Sequence, residues 1–211
     1  MAISPSKENI LKKIRKALSH STPLPFPQKE SKQFFFKPQN QELEFEFAAQ
    51  FTRLQGKFIY CLNHDELISQ LKDLLSKRKW NKVYCREEGL RSVLKQNGFD
   101  QFSDVALKDC DVALTGCEAL VARTGSIVLS AAQQSGRTVS VYAPVHICIA
   151  YVNQLVYDIK DALQLVKDKY GDHLPSLITF ATGPSRTADI EKTLVVGVHG
   201  PGEVYLMLVE A

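Results

Sequence analysis

The strongest constraint on this chain is the alternation of β-rich runs with amphipathic stretches between residues 42 and 115. Apolar residues at helical spacing predict a helix over Glu42 to Leu54, a second over His64 to Lys77 capped by Asn63, and a third over Glu87 to Asn97 closed by Gly98. Between them, Lys57 to Leu62, Asn81 to Cys85 and Asp111 to Thr115 read as strands. Strands and helices that alternate through short joints point to parallel βαβ units.

The second half changes character. Ser126 to Ser130, Thr138 to Tyr142 and Ile147 to Val152 are short β-rich runs, broken by Gly136 and Pro144, which suggests adjacent strands or hairpins. Asp158 to Tyr170 reads as a helix, Ser176 to Ala181 as a strand and Val204 to Val209 as the last strand. The expected fold class is α/β, a mixed sheet flanked by helices, and no internal repeat is visible. Ahead of it, Ile10, Leu11, Ile14, Ala17 and Leu18 make one face of a helix over Ser6 to Ser19, and the segment Pro23 to Pro27 is a proline-rich break. The expected organisation is therefore an N-terminal helical, proline-rich arm over residues 1–40 and an α/β domain over 41–211. Phe34, Phe35 and Phe36 form an apolar patch in the arm that is expected to dock.

Bulk properties exclude several classes of function. Twenty-six basic residues against 23 acidic leave a net charge of +3, too little for a nucleic-acid surface. The clusters Lys12, Lys13, Arg15, Lys16 and Lys77, Arg78, Lys79 read as solvated helix faces. Five cysteines at irregular spacing, with no CxxC, supply neither a disulfide framework nor a local ligand set for zinc or an iron–sulfur cluster. They read as buried thiols of a reducing compartment. No apolar run is long enough for a membrane span and no signal peptide is visible, so the expected location is cytoplasmic.

The residues that can carry chemistry gather in the C-terminal hundred. Leu177 to Ala181 runs into Thr182-Gly-Pro-Ser-Arg-Thr-Ala-Asp-Ile-Glu191, a strand followed by a glycine turn. If a helical turn starts there, Gly183, Ser185 and Thr187 offer N–H and hydroxyl donors to an anion. Arg186 offers a planar fork, and Asp189 and Glu191 stand as acid or base. The alternative is a capped helix start, with Ser185 or Thr187 as N-cap and the two carboxylates on the dipole. Next comes Val196-Gly-Val-His-Gly-Pro-Gly202, where Gly197 and Gly200 flank His199 and let a ligand approach the backbone. His199 is a candidate proton carrier or a hydrogen-bonded turn residue. Thr124 and Gly125 can present N–H groups or simply turn the chain. His146, at a strand mouth, either faces a cleft or is a satisfied core histidine, and it shares a strand face with Cys148.

In this order the segments Ala122-Arg-Thr-Gly-Ser126, Pro144-Val-His-Ile147, Gly183 to Glu191 and Gly197-Val-His-Gly-Pro201 resemble the LUD-domain family, in its lactate utilisation protein C branch. The resemblance covers roughly residues 40 to 210 in layout, and its specific part is 110 to 208. It implies a fold like the group of sugar-phosphate isomerases, CoA transferases and a folate cyclo-ligase. It also implies a role as one component of a three-part system oxidising L-lactate to pyruvate, with iron–sulfur clusters in partner proteins and no redox centre here. One position departs: relatives commonly carry an acidic residue where this chain has Arg123. CoA transferases of this fold form an acyl-enzyme on a glutamate, which arginine cannot do. Arg123 at that position suits an anionic substrate or a partner carboxylate instead. Two further readings stay open. One is a stand-alone enzyme or binding protein for a phosphorylated or CoA-linked small molecule. The other is a scaffold whose arm is the docking element.

Overall fold

In a computed structural model of the chain, which describes residues 5–19, 42–187 and 195–210, the alternating first half becomes one parallel sheet. Two compact units are present, residues 1–37 and residues 38–211. In the first, helix α1 (Pro5–Leu18) exposes Ile10, Ile14 and Leu18. The proline-rich segment and Phe34 to Phe36 lie outside the described residues.

The second unit opens with α2 (Leu43–Arg53), β1 (Lys57–Cys61), α3 (His64–Arg78), β2 (Val83–Cys85), α4 (Glu88–Gln96) and β3 (Val112–Thr115). Asn63 caps α3 as expected, its Oδ1 accepting from the Glu66 N–H at 3.0 Å. Then follow β4 (Ala119–Val121), β5 (Ser126–Ser130), α5 (Val139–Tyr142), β6 (Val145–Tyr151), β7 (Leu155–Val156) and α6 (Ile159–Tyr170). The chain ends with β8 (Ile178–Ala181), β9 (Arg186–Thr187), β10 (Val195–Val196) and β11 (Glu203–Val209).

One of the two larger sheets is wholly parallel and the other is mixed, with β4 parallel to β7 and antiparallel to β5. Among the described residues the parallel sheet has the order β1-β11-β6-β3-β2, and a four-stranded sheet has the order β7-β4-β5-β8. The chain lays down both edges of the parallel sheet first, then steps inward until β11 enters between β1 and β6. From Val204 to Val209 every residue of β11 is buried, the near-continuous apolar run of a strand covered on both faces.

Apolar alternation on these strands sets the layers. Cys61, Leu114, Ile147, Ile149 and Met207 face Leu67, Leu71 and Leu75 of α3 and Leu94 of α4. The opposite face, with Cys148, Ala150, Leu206 and Leu208, packs against Phe47 and Phe51 of α2 and against Leu120, Ile127 and Leu129 of the second sheet. Val121 and Val128, on the outside of that sheet, take Ala162 and Val166 of α6. Each such side chain contributes on the order of 1.5–3 kcal/mol on burial. Among the described residues no helix is long and apolar enough to cross a membrane.

Two segments depart from expectation. Thr138 to Tyr142, with its β-branched residues, forms the short helix α5 rather than a strand. Val139 and Ala143 pack with Ala113 and Cys110, so the segment covers the sheet instead of joining it, and this packing overrides β propensity. As far as Thr187 the stretch after Gly183 is not helical. Arg186–Thr187 pairs antiparallel with Val195–Val196, because the backbone bonds go across to the returning chain: Gly197 N–H donates to Ser185 O at 3.0 Å and Ser185 N–H to Pro201 O at 3.0 Å.

Leu206→Ala, at the centre of β11 and fully buried, is expected to lower the unfolding free energy by about 3 kcal/mol. Urea denaturation checks this, and a loss below about 1 kcal/mol would show that the layer between the sheets is loosely packed.

Candidate functional site

The glycine-rich turn that leads into β11 meets the segment that leads into β6. Val141, Tyr142 and Pro144 on one side and Gly197, Val198, His199 and Gly200 on the other line an open cleft of about 470 Å³. The turn is tied down at its base: Gly202 N–H donates to Pro144 O at 2.9 Å. A Cβ on Gly200 would stand 2.7 Å from the Ser185 Cβ, so the two motif segments pack backbone against side chain. His199 is exposed, as are Val141, Tyr142 and Val198, which gives the cleft an apolar wall and one imidazole. The cleft lies off the amino-terminal ends of β6 and β11.

The other sequence candidates fall into two further places. Thr124, Gly125, Gly183 and Arg186 surround the second half of α2. A Cβ on Gly125, whose φ is +60°, would lie 2.5 Å from the Phe51 nitrogen. A Cβ on Gly183 would lie 2.5 Å from Leu54 O. Arg186 Nη2 donates to that same Leu54 carbonyl, which satisfies an acceptor left over at the end of α2. Thr124, Ser126 and Thr182 form a chain of hydroxyls with two contacts of 2.8 Å. Thr187 is half-buried in the β9–β10 ribbon, while Asp189 and Glu191 lie outside the described residues.

His146 sits between the sheets at 1% exposure. Its Nε2 is 2.8 Å from Thr115 Oγ1, and its Nδ1 has no hydrogen-bond partner. Burial pushes its pKa down to about 4, so the ring is neutral in the folded protein near pH 7.

Arg123 is committed to Asp158: Nε to Oδ2 at 2.9 Å and Nη2 to Oδ1 at 3.2 Å. The Arg123 hydrogen bonds hold the Asp158 carboxyl below its ordinary range. Asp158 also caps α6, so the pair joins the turn before β5 to a helix and leaves little of the fork for an anionic substrate. All five cysteines are buried, and burial pushes Cys61 up to about 11 and Cys85 up to about 12. Among the described residues no three His, Cys, Asp or Glu side chains converge as a metal-ligand set.

The family model described as the LUD domain matches residues 45–209, most of the α/β unit. The chain belongs to the LUD domain family. Lactate utilization protein C 1 of Bacillus mycoides (strain KBAB4) is 30% identical over 166 residues, covering 69% of this chain and 70% of that protein. Lactate utilization protein C of Oceanobacillus iheyensis is 27% identical over 186 residues, covering 83% and 73% respectively. The similarity to lactate utilization protein C of Bacillus licheniformis is higher, 37%, but spans 105 residues and 44% of that relative. A DUF162 family protein from Deinococcus radiodurans superposes with a TM-score of 0.60 at 19% identity, covering 82% of this chain and 99% of that one, and so shares the fold. Placed on the LUD domain, the motif glycines divide by role. Gly125 and Gly183 admit α2, whereas Gly197 and Gly200 shape the cleft. Tyr142 and Pro144 were not legible as cleft residues, because only the packing of α5 brings them to the turn.

Two outcomes follow for this region. Gly125→Ala forces a Cβ into the α2 backbone at a positive φ and is expected to cost about 2 kcal/mol or more; a thermal melt indistinguishable from wild type would contradict this packing role. His146 titrates lower in the folded protein than in the unfolded chain, so the stability it supports is present above about pH 6.5 and lost as pH falls toward 4. The unfolding free energy from urea denaturation is expected to drop across that window by up to about 1.4 kcal/mol per pH unit, and His146→Leu is expected to flatten the slope.

Proposed function

We propose that this LUD-domain protein is a component of a lactate-utilisation system that oxidises L-lactate to pyruvate, working beside iron–sulfur partner proteins and contributing the His199 cleft. The observation that carries this reading is the similarity to lactate utilization protein C over more than two thirds of the chain. The protein's own thiols favour placing the iron–sulfur clusters on the partners: every cysteine is a core residue, and burial holds Cys61, Cys85, Cys110 and Cys148 protonated.

The cleft supports a second reading on a specific ground. Its volume of about 470 Å³ lies within the range of small-molecule sites, roughly 300–1,000 Å³. On that reading the chain acts alone on an anionic small molecule, phosphorylated or CoA-linked, with His199 moving a proton. Asp189 and Glu191 are further candidates for that role, and Ser185, which lies against Gly200, and Thr187 for holding the anion.

Purification of the protein from its host grown on L-lactate tests the first reading. Iron–sulfur proteins are expected to co-elute, and dye-linked lactate oxidation is expected to require this chain. With His199→Ala the assembly is expected to persist and the rate to fall roughly 100-fold, the scale of one acid–base group. A lone protein, or full lactate oxidation without it, would contradict the proposal. Thermal stabilisation of the isolated protein by a sugar phosphate or a CoA ester, lost in His199→Ala, would then favour the second reading.

A further inference from the structure

The parallel sheet ends on β1, whose outer edge carries no further strand among the described residues. Native sheets blunt such edges with charges, prolines or very short strands. The other edge is blunted in that way, because β2 is three residues long. β1 runs Lys57-Phe-Ile-Tyr-Cys61, and after its first residue it has neither charge nor proline. Its outer row of backbone donors and acceptors therefore runs along an apolar, aromatic strand.

Beside β1 lies a groove of about 740 Å³. Phe45 and Ala48 of α2 line one side, and Phe58 and Tyr60 of β1 with Leu62 line the other. Phe47 and Phe58, with ring centroids 6.2 Å apart, hold α2 against the strand. Phe45 is 68% exposed, Leu62 61% and Tyr60 38%, so these apolar side chains face solvent rather than the core, as at a docking surface. Glu42, Glu44 and Glu210 complete the lining, and Tyr60 Oη donates to Glu210 Oε2 at 3.0 Å. Among the described residues none of the three carboxylates is paired with a Lys or Arg, and no basic side chain lines the groove. Its field is negative and selects a basic occupant.

We propose that the β1 edge takes an extended segment of a partner protein as a sixth strand. The segment carries large apolar side chains at alternate positions, which enter the groove beside Phe45 and Tyr60, and Lys or Arg at its ends, which reach Glu42, Glu44 and Glu210. Backbone hydrogen bonds to β1 supply the general affinity, while the apolar spacing and the basic ends supply the selection. This surface is distinct from the His199 cleft: the groove includes Leu62 and Glu210, which follow the carboxyl ends of β1 and β11, whereas the cleft lies at the amino-terminal ends of β6 and β11. The two readings therefore stand or fall separately.

A short synthetic peptide in which valine alternates with threonine and lysines close both ends is the probe, titrated onto the full chain by fluorescence anisotropy and followed by deuterium exchange. The lysine peptide is expected to bind and to slow exchange of the β1 amides that point away from β11. The same peptide with glutamate for lysine, or with proline at its centre, is expected to bind about ten-fold more weakly or worse, the scale of several rim charges acting together or of a broken ladder. Phe45→Ala is expected to weaken the lysine peptide, and the double variant Glu42→Lys, Glu210→Lys to reverse the preference between lysine and glutamate peptides. Equal affinity for the two peptides would overturn the proposal. So would binding without protection of β1, or spermidine competing as well as the peptide does, which would make the groove a cation site alone. Outer-edge amides of β1 already protected in the chain without peptide would also overturn it, the edge then being covered by the chain itself in a monomer or by a second copy in a dimer.

Discussion

The structure depends on the insertion of β11 between β1 and β6. Five paired positions join it to β1 and seven to β6. Without those bonds β1 has no neighbour in the sheet, and the layer shared by Phe47, Phe51, Leu206 and Leu208 has no floor. The strand is drawn from the far end of the chain, so the contact is long-range and carries a large closure cost. What offsets that cost is burial on both faces of nearly the whole strand.

The same insertion builds the cleft. Because β11 starts beside β6, the turn that feeds it must pass over the Pro144 carbonyl, and the bond from Gly202 fixes that crossing. Gly200 then lies against Ser185, and His199 is carried to the wall made by Tyr142. Fold and candidate function are thus one construction. The glycines and prolines that let the chain enter the sheet also shape the surface beside it. The second sheet has a separate role: with Leu120, Ile127 and Leu129 it closes the apolar layer that holds Phe47, Phe51, Cys117 and Cys148.

Much of this was legible in the residues. Residues 42 to 115 read correctly as alternating helices and strands, because each amphipathic stretch packs on the layer its own pattern implies. Asn63 announced its helix by capping chemistry. What was not legible depends on partners distant in sequence. Thr138 to Tyr142 has the composition of a strand, yet Val139 finds its burial against Ala113 and Cys110 and the segment coils. Arg186 has the form of an anion grip, and only the position of Leu54 shows it closing the end of a helix. Gly125 reads as a flexible turn, and only Phe51 shows it to be a close approach. Tyr142 as a neighbour of the Gly197–Gly200 turn followed from tertiary packing alone.

The account's central claim is that the working surface is the cleft where the His199 turn enters β11. Hydrogen–deuterium exchange measured on the protein alone and in its assembly from lactate-grown cells tests this most directly. Slowed exchange concentrated in residues 139–144 and 196–202 is the predicted result. Unchanged exchange there, with protection confined to the carboxyl ends of β2 and β3, would contradict the claim and move the functional surface to the other end of the sheet.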